Sequence, residues 1–259
     1  MEVTGTNDQP RRALVTGASG IAAATVRRLA AGGWTVFVVS VDPTECAELA
    51  AEVGTSCAGF RVADLRVEEE AVGAFDAAVA AMGGLDGVIG VAGGSARRAG
   101  DGWLHEMTLG GWEAAIGLNL TTAFLTAREA VRRMRDRGGS IVLTSSVLAT
   151  SPQPESFATH GYAAAKGAIA GWVVPLAAAY ARDGIRVNCV APGLVDTPGA
   201  HRAAQSPEIT AFAQRKMPLT HGIASAVDVA AAMVWALEAP GMTGQVIRID
   251  GGWSVTSTS

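Results

Sequence analysis

Hydrophobic and polar positions along the chain follow two alternating periods. Seven short runs, "ALVTG" (13–17), "TVFVVS" (35–40), "GFRVAD" (59–64), "GVIGVAGG" (87–94), "SIVLTSS" (140–146), "IRVNCVAPG" (185–193) and "GQVIRIDGG" (244–252), each have the length and β-branched content of one buried strand. Between them lie alanine-rich stretches with apolar residues three and four apart, among them 21–33, 44–54, 68–83, 112–139, 161–184 and 224–239, which predict helices. Regular alternation of strand and helix requires right-handed crossovers and a parallel sheet covered on both faces. The pattern therefore predicts a doubly wound α/β fold, a Rossmann-type sheet of about seven strands.

Neither a repeat nor a proline- or serine-rich linker divides the chain, so 12–259 reads as a single domain behind a polar, flexible extension at 1–11. From 198 to 226 the strand signals stop, and Pro198, Pro207 and Pro218 interrupt the pattern. A long irregular stretch after a strand's carboxyl end is expected to be a lid over a ligand.

Composition narrows the partners. A net charge of −4 and a pI near 5.6 give no basic footprint, which argues against nucleic acid and anionic membrane and for a small-molecule substrate. The runs "WTVFVV" and "GVIGVAGG" are too short for a membrane span, and the opening residues lack the apolar core of a signal peptide. Cys46, Cys57 and Cys189 are scattered without metal-ligand spacing, as expected of reduced, buried thiols in a cytoplasmic chain without a metal.

Chemistry gathers in five places. "VTGASGIAAATVRRLA" (15–30) follows the first strand and offers Thr16, Gly17, Ser19, Gly20 and Ile21 for a tight turn whose backbone amides and helix end face a phosphate. In "YAAAK", Tyr162 and Lys166 stand four apart, on one helical face. "SIVLTSS" ends in Ser145 and Ser146 just upstream, Asn119 lies in the preceding long helix, and "NCVAPGLVDTP" follows the next strand.

This ordered set resembles the classical short-chain dehydrogenase/reductase family from about Arg12 to Trp253: "TGASGI", "ADL" (63–65), "GVAG" (90–93), "LNL" around Asn119, "TSS", "YAAAK", "APGLVDT" and a terminal "DGG" come in the family's order. The resemblance implies an NAD(P)-dependent oxidoreductase, frequently a homotetramer, that moves a hydride between a nicotinamide and a secondary alcohol or ketone. Asn119, Ser146, Tyr162 and Lys166 are then the catalytic candidates. Tyr162 is the general acid or base, and Lys166 is expected to lower its ordinary pKa of about 10 and to hold the nicotinamide ribose. Ser146, with Ser145 as fallback, would orient the substrate oxygen. Asn119 would seat a relay water, or else act as a structural amide in a helix kink. On the cofactor side, Asp64 resembles the carboxylate that meets the adenine amino group, with Leu65 beside it. Ala92 and Gly93 would line the ribose, and Pro192, Gly193, Val195 and Thr197 the nicotinamide amide.

Three departures from the family pattern carry expectations of their own. The glycine loop is one residue short and has Ala22 in place of its third glycine, so the pyrophosphate is expected to be held more weakly or in a shifted position. Gly90 and Val91 replace two asparagines that brace the sheet. Sixteen positions separate Ser146 from Tyr162, longer than the family interval, which points to a reshaped pocket. At the end of the second strand stand Ser40, Val41 and Asp42 with no arginine, which favours NAD over NADP, with Asp42 as the ribose ligand.

Small and apolar residues dominate the wall between 147 and 161, and Gly94, Ser95, Gly193 and Leu194 continue it, so a medium-sized, largely hydrophobic substrate is expected. His160, His201, Arg202 and His221 are read as surface or lid residues, and Trp103, Trp112 and Trp172 as packing anchors. Trp253 and the closing "SVTSTS" are candidates for contact with a neighbouring subunit. Two rival readings keep the fold: a non-redox elimination or isomerisation enzyme, motivated by the altered glycine loop, and a dinucleotide-sensing protein without turnover.

Overall fold

All seven runs become strands of one parallel sheet in the computed structural model, which describes residues 10–200 and 205–257. They are β1 (Arg12–Thr16), β2 (Thr35–Ser40), β3 (Cys57–Val62), β4 (Gly87–Gly90), β5 (Gly139–Thr144), β6 (Ile185–Pro192) and β7 (Val246–Ile249), in the order β3-β2-β1-β4-β5-β6-β7. Alternate residues of β1 enter opposite cores, Ala13 and Val15 on one face and Leu14 on the other. On the first face lie α1 (Gly20–Ala31), α2 (Pro43–Val53) and α9 (Ala226–Glu238); on the second lie α3 (Glu68–Met82), α5 (Thr122–Met134) and α7 (His160–Tyr180). The strand order reverses between β1 and β4, and a crevice opens there at the carboxyl ends of the strands.

The helix expected over 112–139 is two helices. α4 (Leu109–Ile116) starts where the Thr108 hydroxyl accepts from Gly111 N at 3.1 Å, a wider π turn covers Gly117–Thr121, and α5 follows. The stretch 198–226 is not wholly irregular. Ser206 caps α8 (Pro207–Lys216) by accepting from Ile209 N at 3.3 Å, and Pro207 fits the first turn because it has no amide to satisfy. A parallel bridge between Val195 and Ala224 ties its base together. Residues 201–204, with His201 and Arg202, and most of the extension 1–11 lie outside the described residues.

Two tryptophans read as anchors are not buried: Trp103 is 44% and Trp112 37% exposed. Trp172 is half-buried against Phe124, with ring centroids 6.1 Å apart. Trp253, read as a subunit contact, is instead 1% exposed inside this chain. One described helix, 160–183, is apolar enough to span a membrane by length and mean hydropathy (1.3), a property the short-run reading overlooked; α7, which makes up most of it, packs against β6 and the π turn. The cysteines are free thiols; Cys46 and Cys189 are buried, Cys57 partly so.

Candidate active site

The crevice is a cleft of about 310 Å³ that runs from Ser19, Gly20 and Ile21, past Gly93 and Gly94, to Ser146, Tyr162 and Lys166. Pro192, Gly193, Val195 and Thr197 close one side, and Leu148, Phe157, Leu194 and Trp253 form an apolar end. Each catalytic candidate reaches it from its own element. Ser145 and Ser146 follow β5, Tyr162 and Lys166 share the first turns of α7, and Asn119 sits in the π turn.

Ser146 faces Tyr162 across the cleft and pulls the phenol down, but burial outweighs this and leaves its pKa above the ordinary value. The expected lowering by Lys166 is therefore not found. The Lys166 ammonium stands 5.6 Å from the Tyr162 ring centroid and donates instead to the Thr144 carbonyl at 2.9 Å. Burial pushes Lys166 down to about 8, although the neighbouring Cys189 thiol opposes this; burial pushes that thiol up to about 11. Ser145 is not a substrate-facing alternative, because its hydroxyl donates to the Lys166 carbonyl at 2.7 Å and braces α7 against β5. Asn119 is wholly buried and its amide is fully engaged: Oδ1 accepts from Gly94 N, and Nδ2 donates to Gly94 O and Ala115 O, all at 3.0 Å.

At the other end, Gly17 (φ +94°) and Gly20 (φ +53°) adopt left-handed conformations, and Gly17 N donates to Val39 O at 2.7 Å. The Ala22 methyl lies 3.1 Å from where a Gly17 Cβ would stand, so it fills the space beneath the shortened turn. Thr16 faces inward, not into the cleft. Its hydroxyl accepts from Val91 N at 3.0 Å and Ala92 N at 3.1 Å, and with Thr144, which donates to Gly90 O at 2.7 Å, it braces the segment where two asparagines are missing.

Ser40, Asp42, Asp64 and Leu65 lie apart from this cleft. Asp42 caps α2 by accepting from Thr44 N (2.9 Å) and Glu45 N (3.0 Å), both through Oδ1. Asp64 pairs with Arg66, whose guanidinium reaches both carboxylate oxygens at 2.6–3.0 Å and holds the acid below its usual pKa. Leu65 is buried.

The residues present fit a phosphate-bearing nucleotide. Ala22 N and Ala23 N donate to Ser19 O, which leaves the amides of Gly20 and Ile21 at the start of α1 for a phosphate, and among the described residues no carboxylate lines the cleft. Gly93 (φ +142°) leaves bare backbone where a Cβ would fall 2.8 Å from Asn119 Oδ1 and 3.5 Å from Lys166 Nζ.

A family model described as Enoyl-(Acyl carrier protein) reductase matches residues 15–254. A solved structure titled as a short-chain type dehydrogenase/reductase from Mycobacterium ulcerans superposes with a TM-score of 0.88 at 30% identity, covering 96% of this chain and 91% of that one. The chain belongs to the short-chain dehydrogenase/reductase family. It is therefore related to oxidoreductases over nearly its whole length. Momilactone A synthase of Oryza sativa subsp. japonica is 35% identical, covering 95% of this chain and 91% of the relative. Cis-4-hydroxycyclohexanecarboxylate dehydrogenase of Sinomonas cyclohexanicum is 34% identical over 94% and 96%, and 3beta-hydroxysteroid dehydrogenase 1 of Eggerthella lenta 34% over 93% of each.

Two features of the site have no counterpart in the sequence reading. Asp101 is buried and accepts from Gly161 N at 2.9 Å and Tyr162 N at 3.0 Å. Trp253 forms the back of the apolar end: its ring meets Phe157 and Phe212 edge-on at 5.7 and 5.4 Å, and Nε1 donates to Ser151 O at 3.0 Å. Neither shows a sequence signal, because each joins segments distant in the chain.

Proposed function

We propose that this protein is a nicotinamide-dependent dehydrogenase/reductase for a medium-sized, largely apolar secondary alcohol or ketone, with an alicyclic ring as the substrate body. The observation that carries this reading is the meeting of Ser146, Tyr162 and Lys166 in one cleft, with the Lys166 ammonium 5.6 Å from the Tyr162 ring centroid, at the junction of a glycine-lined groove and an apolar pocket. A bound nicotinamide supplies or accepts the hydride at the carbon bearing oxygen. Ser146 holds the substrate oxygen; Tyr162 in its protonated form, which burial favours, gives its proton to a carbonyl oxygen in reduction, and in oxidation its phenolate form takes the proton from the hydroxyl. Leu148, Phe157, Leu194 and Trp253 receive the ring and exclude water. Two relatives named for a hydroxycyclohexanecarboxylate and a hydroxysteroid support the alicyclic class.

NAD(H) is the preferred cofactor. Ser40, Val41 and Asp42 at the end of β2 include no cation, Arg66 is engaged by Asp64, and Asp42 Oδ2 is left to accept from a ribose hydroxyl. A related fold, 3-ketoacyl-(acyl-carrier-protein) reductase of Brucella melitensis, was crystallised with NADH. The chain works as a homotetramer in the cytoplasm. Phe124 of α5 (43% exposed) and Val174 of α7 (56%) present an apolar face suited to a second copy, and the thiols are reduced.

The test is steady-state turnover of NADH and NADPH with a panel of cyclic ketones, alongside fluorescence titration of both nucleotides. NADH consumption with cyclohexanone-type substrates supports the reading. Nucleotide binding without turnover of any ketone or alcohol would return it to the non-redox and sensing alternatives.

A further inference from the structure

The catalytic helix begins without a cap of its own. Thr159, at the cap position of α7, makes no side-chain hydrogen bond to the first turn, yet that turn holds Tyr162. The missing acceptor comes from the loop after β4, where the two Asp101 carboxylate oxygens separately accept from Gly161 N and Tyr162 N. Next to it, Gly102 O pairs with His160 Nδ1 at 2.8 Å, so two consecutive loop residues grip the first three residues of α7.

This grip is enclosed. Asp101 is 4% exposed, and a Cβ on Gly161 would fall 2.7 Å from the Ala115 methyl, so only glycine lets the helix end seat this closely. A carboxylate at a helix amino end satisfies orphan amides and opposes the positive end of the helix dipole. The loop it belongs to, 94–102, also lines the cleft at Gly94, Ser95 and Arg97.

We infer that Asp101 is a positioning residue for the reaction: it fixes the rotation and height of the first turn of α7, so that the Tyr162 hydroxyl meets Ser146 and the substrate oxygen. The inference rests on the redox reading above. Asp101 does not touch the reacting atoms. Its effect passes through the Tyr162 main chain, and a displacement of about 1 Å at a proton-transferring group costs on the order of 100-fold in rate.

The experiment compares D101N and D101A with the wild type, with kinetics normalised to the fraction of protein that binds NADH. Amide exchange is followed by mass spectrometry on a peptide covering 159–165. D101N keeps one carboxamide oxygen for one of the two amides; D101A keeps none. The expected result is a graded loss in kcat, about 10-fold in D101N and about 100-fold in D101A, with KM for the ketone and Kd for NADH each within about threefold of the wild type. Exchange at 159–165 should rise in the same order while the rest of α7 stays protected. A purely structural role would instead lower the NADH-binding fraction and leave kcat per binding site unchanged; that result overturns the proposal, as does full kcat in D101A with a loosened helix end. If D101A does not fold, D101N decides alone: kcat within twofold of wild type rejects the positioning role. A wild type that turns over no alcohol or ketone is a different failure, that of the redox reading, and takes the positioning role with it.

Discussion

Lys166 Nζ donates to the carbonyl oxygen of Thr144 at 2.9 Å, which ties α7 to the end of β5. The ammonium is thus held by a neutral acceptor in a buried site, which is why its pKa falls to about 8. A nucleotide brings negative charge to the cleft and favours the protonated form. Binding should therefore be tightest below pH 8 and weaken as pH rises through that value, by at most about tenfold per pH unit. NADH titrations from pH 6.5 to 9.5 measure this, and Lys166→Met should flatten the dependence.

Tyr162→Phe removes the proton donor and leaves the ring in place. Turnover should fall on the order of 1,000-fold, within the range for loss of a general acid, with NADH affinity within about twofold of wild type. Retention of more than a tenth of the rate would reassign the proton transfer.

Gly20 has φ +53°, and a Cβ there would fall 2.8 Å from Thr197 Cγ2. Gly20→Ala forces strain and a collision at once. We expect a stability loss of about 1–2 kcal/mol from the left-handed backbone alone, and at least tenfold weaker NADH binding as the phosphate turn shifts. Urea unfolding and fluorescence titration read the two effects separately.

Asn119→Ala strips a partner from Gly94 N and Gly94 O, part-buried beside the cleft, and from the buried Ala115 O. Water can reach the first two, so a loss of about 1–3 kcal/mol is expected. The side chain here is a bracket between the π turn and the loop lining the cleft. Any relay water is therefore held by other atoms, and Asn119→Asp should cost stability before it changes the pH profile of turnover.

Trp253→Phe keeps an aromatic ring near Phe157 and Phe212 but gives up the bond to Ser151 O. About 1 kcal/mol of stability should be lost, with KM for a ring-bearing ketone changed less than threefold. Trp253→Ala should cost about 3–5 kcal/mol and raise KM strongly, because the back wall of the pocket goes with the ring. Thermal melts and KM values on both variants give the comparison.

Local patterns in the sequence carried most of the fold. The seven strands were legible because each is a short run rich in apolar and β-branched residues, and Tyr162 with Lys166 because four positions make one helical turn. Burial was not legible. The chain shows a lysine near a tyrosine, but not that Lys166 is buried and Tyr162 partly so, and burial reverses the expected shift of the phenol. Contacts between distant segments were equally hidden: Asp101 and Tyr162 are 61 positions apart, and Ser151 and Trp253 are 102. Helix α8 escaped because its cap, Ser206, and the helical period sit among prolines that read as loop.

The parallel sheet also sorts the molecule into a working end and a quiet one. Ser146, Tyr162 and Trp253 all gather beyond the strands' carboxyl ends, whereas Arg12 opens β1 at the opposite edge, paired with Asp86. An affinity tag or fusion partner joined ahead of Arg12 therefore hangs away from the chemistry. The same cargo placed just after Trp253 pulls on the tryptophan that walls the pocket, so the choice of handle decides whether a purified sample reports the native enzyme.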